Sequence, residues 1–306
     1  MSMTNSNRLC SLVTLGVAIL IPLVLFPAPV RAQEKNRSAG KGTIPTHPPL
    51  LTRTVVRHET SRLGYGGTVT ILGAPEGAII IEGWPRSEVD LTAEIELRAD
   101  TEEDLSRLAM VNNFAFVGDP NHVRVFTTGT HDKVFMKRVA KNFPKQLLGL
   151  PWKINYRLRV PAATDIEINA GKGPIILAGV EGALTLTATD SDAQLTLTGG
   201  IVNATVATGK LFVKIPVRSW RGNGVVIRLA AGDLTVELPS GFNGDIDADI
   251  LRFGKIETGY VGLESRQPPG LTPEIVRARA GAGGASFKLI VGDGTIHINK
   301  QVIADQ

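Results

Sequence analysis

The sequence predicts a mainly β protein: a single-stranded parallel β-helix, or solenoid, with short rungs of about 20 residues. One or two small helices are expected in its N-terminal half. Three observations predict this. Apolar and polar residues alternate with a period of two over many short stretches, which sends one set of side chains inward and the other into water. From Ile154 onward, equivalent apolar positions recur at near-constant spacing: Ile166 to Leu184, Ile175 to Leu195, Leu186 to Val206 and Val213 to Leu234. Between them lie Gly-, Thr- and Asp-rich corners, such as Ala170-Gly171-Lys172-Gly173, Thr189-Asp190-Ser191-Asp192, Thr208-Gly209-Lys210 and Ala231-Gly232-Asp233. A leucine-rich repeat has a similar period, but this pattern lacks its Leu-Asn ladder and helical half.

Composition sets the outer bounds. The chain has 306 residues, 43% hydrophobic and 20% charged, which excludes wholesale disorder and collagen-like repeats. Its single cysteine, Cys10, excludes a disulfide framework, a cysteine-ligated zinc site and cysteine–histidine catalysis in a mature chain. Residues 9–30 carry no charge, Arg8 precedes them, and Val30-Arg31-Ala32 places small residues around a cut before Gln33. This reads as a signal peptide over 1–32, cleaved after Ala32, with export to the periplasm, cell surface or medium. A retained membrane anchor is the competing reading, because the uncharged stretch is long enough to span a bilayer. Pro22, Pro27 and Pro29 favour cleavage. Removing 1–32 leaves 31 Lys+Arg against 29 Asp+Glu, a near-neutral chain with no general affinity for nucleic acid.

The elements follow in order. Residues 33–52 are rich in Pro, Gly, Ser and charge and read as a disordered tether. An N-terminal β region is expected over 53–160, with strands Thr68–Leu72 and Ala78–Glu82. A third strand carries Val89, Leu91, Ala93, Ile95 and Leu97 on one face, with Glu88, Asp90, Thr92, Glu94 and Glu96 on the other. Thr101 is placed to cap a helix over 101–112, with Glu102, Glu103 and Asp104 in the first turn where the helix dipole favours anions. Strands Phe114–Val117 and Val123–Phe126 flank the turn Gly118-Asp119-Pro120-Asn121. A basic insertion occupies 131–147, and the β-helix repeats are expected over 161–306. Gly281-Ala282-Gly283-Gly284 reads as a hairpin turn between two strands.

Several segments resemble the bacterial putative-adhesin family, exported short β-helices of unknown function. They are Ile81-Glu82-Gly83-Trp84-Pro85-Arg86-Ser87-Glu88-Val89, Tyr156-Arg157-Leu158-Arg159-Val160-Pro161-Ala162 and Ala230-Ala231-Gly232-Asp233-Leu234-Thr235-Val236, together with the stretch from Gly283 to Ile298. The resemblance covers about residues 66–300, apart from 127–152 and parts of 215–224 and 257–275. Gly171-Lys172-Gly173 and Asp190-Ser191-Asp192 depart from the Ser-Gly-Asp corners of that family. The resemblance implies adhesion and carries over no catalytic residue.

Candidate sites are few. Asp245, Asp247 and Asp249 share one strand face, but carboxylates two residues apart are separated by about 6.6 Å, too far for neighbours to enclose one Ca²⁺ unaided. A solvated acidic face is the plainer reading. Asp190 and Asp192 could ligate Ca²⁺ from a corner, without the Gly-Gly-x-Gly-x-Asp repeat of calcium-loaded β-helices. The five histidines show no metal-ligand spacing, and no nucleophile elbow, Walker loop or dinucleotide loop is present, so no cofactor is expected. In 131–147, Lys133, Lys137, Arg138, Lys141 and Lys145 oppose Asp132 alone, beside the apolar Val134, Phe135, Val139, Phe143 and Leu147. Such a stretch can lie weakly on anionic membrane. A capping helix with solvated lysines is the simpler alternative. Trp84, Trp152 and Trp220 could stack on sugars or fill the rim and core.

Two function classes remain. One is a non-catalytic, adhesin-like envelope or surface protein that binds a partner protein or glycan. The other is a β-helical lyase or hydrolase acting on polysaccharide, which needs carboxylates and a base converging on one face.

Overall fold

The computed structural model describes residues 50–301. The expected signal peptide, Cys10, His47 and residues 33–49 of the tether lie outside them. Among the described residues, no helix is long and apolar enough to cross a membrane.

Strands β1 (Leu51–Arg62), β2 (Thr68–Glu76), β3 (Ile79–Trp84) and β4 (Glu88–Ala99) open the fold, so Leu51 and Thr52 belong to a strand. Helix α1 (Glu102–Val111) follows, with the Thr101 hydroxyl accepting the Asp104 amide at 3.1 Å and Leu105, Leu108 and Val111 buried beneath it. Next comes an antiparallel hairpin of β5 (Asn113–Gly118) and β6 (His122–Thr128). The short helix α2 (Lys133–Val139) and a 3-10 turn at Lys145–Leu147 lead to β7 (Trp152–Pro161). Four short strands then alternate with corners: β8 (Asp165–Lys172), β9 (Ile175–Ala178), β10 (Gly182–Asp190) and β11 (Ala193–Thr196). The rest comprises β12 (Gly199–Lys214), β13 (Arg221–Leu238), β14 (Gly244–Thr258), β15 (Leu263–Ser265), β16 (Ile275–Ala280) and β17 (Ser286–Lys300).

Hydrogen bonds join these 17 strands into one mixed sheet, curled into a nearly closed barrel. Its pairing runs in two rows. One row passes from β6 through β2, β8 and β10 to the first halves of β12, β13, β17 and β14, and then to β16. The other passes from β1 through β4, β7, β3, β9 and β11 to the second halves of those long strands. Inward residues of both rows, among them Ile71, Ile81, Leu158, Leu186, Val213, Leu229 and Ile296, form one continuous core. The long strands bend where glycines stack. A Cβ on Gly294, whose φ is 140°, would sit 1.8 Å from the Gly232 carbonyl oxygen, and one on Gly254 would sit 1.7 Å from that of Gly294. Only glycine permits backbones to cross that closely at such a φ.

The parallel single-stranded β-helix expected over 161–306 does not form. A solenoid stacks each rung on its neighbour in sequence. Here β17 lies between β13 and β14, and β2 with β3 lies against β8 with β9, so spatial order departs from chain order. Antiparallel pairs β1–β4, β4–β7, β5–β6, β14–β16 and β15–β16 complete the departure. Charge complementarity helps to select them: Glu96 on β4 binds Lys153 on β7 at 2.9 Å, and Asp245 on β14 binds Arg279 on β16 at 3.0 Å. The repeat survives only locally. Leu184 lies opposite Ile166 as the spacing predicts, but Leu186 faces Ala204 rather than Val206, and Leu234 faces Leu211 rather than Val213. Each slip is two residues, which preserves the inward face. The hairpin expected at 281–284 also fails, because β16 and β17 flank β14 instead of pairing.

Candidate functional site

The three aspartates of β14 alternate with buried Ile246 and Ala248, and antiparallel pairing sets Asp245 opposite Arg279 and Asp247 opposite Arg277. Asp245 also meets Arg266 at 3.5 Å, Asp247 is bound by Arg266, and Asp249 accepts from Arg277 at 2.6 Å. The expected acidic face is thus a ladder of carboxylates and guanidiniums. Arg277-Ala278-Arg279, alternating like Asp245-Ile246-Asp247, was the signal in the sequence. Asp192 and Asp190 remain at an exposed corner. Asp192 accepts the Lys210 backbone amide at 2.8 Å, and Asp190 accepts from the Thr208 hydroxyl at 3.3 Å. Asp165 and Asp233 likewise accept backbone amides, from Ala183 at 2.7 Å and Thr295 at 3.1 Å. These aspartates stitch one strand to the next. Among the described residues, no three His, Cys, Asp or Glu side chains converge where a metal ion could be held.

Trp220 is a core filler, buried edge-on against Phe287 and donating to the Gly200 carbonyl at 3.1 Å. Trp84 is half-buried, its indole donating to the Glu88 carbonyl at 2.8 Å. The guanidiniums of Arg86 and Arg159 lie 4.9 and 4.8 Å from its ring. Beside it, the buried Asp90 is bound by both Arg159 and His58, although alternation assigned it to the solvent face. Its partners come from β7 and β1, distant in sequence, so no local pattern announced this cluster.

Trp152 has a different setting. It opens β7, and two hollows of about 120 and 290 Å³ share Glu76, Pro151 and Trp152 in their walls. The smaller adds Glu96, Arg98 and Lys153; the larger adds Thr130, His131 and Lys172. Glu96 takes hydrogen bonds from Lys153 and Arg98, which hold its carboxyl below the usual range, so it is an anion at neutral pH. His131 lies 5.4 Å from Trp152, tilted 42°, and desolvation against its neighbours lowers its pKa despite the adjacent Asp132. The neutral imidazole has one N–H, which a hydrogen bond to the Gly73 backbone engages, and keeps its other nitrogen as an acceptor. An indole edged by carboxylates, ammonium groups and a neutral imidazole can bind a sugar: the ring takes a C–H face and the polar groups take hydroxyls.

Elsewhere, a shallow groove of about 470 Å³ follows the sheet outside β10, β12, β13 and β17. Thr187, Thr205, Arg228, Ile290 and Leu251 line it. Leu251 and Arg252 protrude at an irregularity of β14 pairing, and Arg252 returns to bind Asp293 at 2.6 Å. The basic residues Lys133, Lys137, Arg138, Lys141 and Lys145 are all exposed on and after α2, while Met136 and Leu147 are buried.

No protein-family profile and no curated protein matches the chain. Several solved structures resemble it, among them the following two. One is described as a putative cell adhesion protein from Clostridium sporogenes, with 15% identity and a TM-score of 0.45 over 81% of this chain and 100% of that one. The other, described as a putative adhesin from Bacteroides fragilis, has 11% identity and a TM-score of 0.33 over 81% of this chain and 97% of that one. At those scores the likeness assigns neither fold nor function, and the chain is similar to these proteins without being placed among them.

Proposed function

We propose that the protein is an exported, non-catalytic envelope or surface protein that binds glycan, with the cleft around Trp152 as its binding site. The supporting observation is the meeting of an aromatic ring, paired charges and a neutral histidine at two adjoining hollows. Binding without chemistry is favoured because the carboxylates and arginines that converge between β14 and β16 pair with one another and line neither hollow around Trp152. A protein ligand is the second reading, favoured by the apolar groove beside Leu251 and Ile290.

Glycan-array screening, followed by calorimetry on the best hit, tests the site. Trp152→Ala and Glu76→Gln should each weaken binding at least tenfold, about 1.4 kcal/mol, with the circular dichroism spectrum unchanged. Glycan binding that survives both substitutions overturns the site, and an array with no hit overturns glycan as the ligand. N-terminal sequencing of protein from the periplasm or medium tests export; the expected first residue is Gln33.

A further inference from the structure

The insertion between β6 and β7 combines two properties that a protein in plain water gains nothing by keeping together. Lys133, Lys137, Arg138, Lys141 and Lys145 are exposed, and none takes part in an ion pair among the described residues. The nearby carboxylate of Asp132 is engaged in capping α2, where it accepts the amides of Val134 at 2.9 Å and Phe135 at 3.0 Å. Apolar side chains stand among these cations: Val134 is 74% exposed and Val139 60%. Met110, 74% exposed at the end of α1, faces a cleft of about 850 Å³ shared with Arg138, Val139, Lys141 and Phe143. Arg107 on the same wall is neutralised by Glu103 at 2.6 Å. Buried Leu147 and the partly buried Phe143 pin the segment to the core, and Met136 is buried beneath α2, so the patch is presented by a fixed support.

We propose that this patch seats the protein on an anionic lipid bilayer. Lysines and arginines match phosphate headgroups, and protruding Met110, Val134 and Val139 match the interfacial depth just beneath them. A soluble polyanion would neutralise the cations but leave those three side chains in water, which is why a bilayer is the better fit. The patch is separate from the Trp152 cleft, and the inference stands whether or not a glycan binds there.

Vesicle flotation with the full chain tests it, comparing phosphatidylcholine vesicles with vesicles that also contain phosphatidylglycerol. Binding to the neutral vesicles measures whatever the rest of the chain contributes. The expected result is binding to anionic vesicles about tenfold tighter or more, an advantage that disappears in about 0.5 M salt. The triple variant Lys137→Gln, Arg138→Gln, Lys141→Gln should lose that advantage, and Val134→Asp with Val139→Asp should reduce it several-fold. All five positions are exposed, and an unchanged thermal melt confirms that the variants fold. Equal binding to both vesicle types, or a triple variant that binds like the parent, overturns the proposal. So does a double aspartate variant that binds anionic vesicles unchanged while inorganic polyphosphate competes fully, since that describes a polyanion site.

Discussion

At the scale of single residues, the inward or outward direction of each side chain carries most of the stability. Leu197 is 2% exposed, whereas its neighbour Thr196 points outward and lies opposite Lys214 on β12. Leu197→Asp therefore buries a charge without a partner and should cost several kcal/mol, enough to unfold a marginal domain. Thr196→Asp meets water and a lysine and should change stability by no more than about 0.5 kcal/mol. Thermal melts followed by circular dichroism separate the two, and equal melting temperatures would refute the assigned strand faces. This level of structure was legible in the sequence, because period-two alternation depends only on the pleat of each strand. Ile166, Ile168, Leu184, Leu186, Leu195 and Leu197 are all buried as their spacing predicts. Asp90 broke the pattern for a reason no local rule contains: Arg159 and His58 arrive from other strands to cover it.

At the scale of elements, the stacked bends determine which strands can lie side by side. The backbones of Gly232, Gly294 and Gly254 cross where other strand pairs have room for side chains. Gly294→Ala forces a methyl group to within 1.8 Å of the Gly232 carbonyl and places alanine at a φ of 140°. The strands must part, at a cost of about 3 kcal/mol or more. Gly149→Ala is the control, since a methyl group there meets nothing within 4 Å. Urea denaturation should show a much lower midpoint for the first variant and an unchanged one for the second; similar midpoints would mean that the bends tolerate separation. Glycine-rich corners were visible in the sequence, but which glycines stack was not. The stacking joins residues such as Gly232 and Gly294, on strands separated by the whole β14–β16 excursion. The Trp152 cleft was hidden for the same reason: Glu76, Glu96 and Lys172 reach it from three strands.

At the scale of the whole molecule, the two rows of strands hold one another through a core whose largest fully buried side chain is Tyr156. Its ring packs edge-on against Phe114 at 5.8 Å, and its hydroxyl shares a 2.8 Å hydrogen bond with Thr127 on β6, linking one row to the other. Burial raises the pKa of this phenol far above the ordinary value of 10.0, outweighing the Thr127 hydrogen bond and the field of Arg57. The unfolded chain therefore releases the proton near pH 10.0, while the folded chain retains it. The corresponding stability is fully present below that pH and is lost progressively as pH rises toward the folded pKa. Tyr156→Phe removes this dependence but leaves the Thr127 hydroxyl without its partner, at a cost of about 1 kcal/mol at neutral pH. Melting temperatures measured from neutral pH into the alkaline range should show the parent more stable at first, with the gap narrowing above pH 10.0. Parallel curves across the range would mean that Tyr156 ionises in the folded state, and that the contact between the rows opens to water before the barrel unfolds.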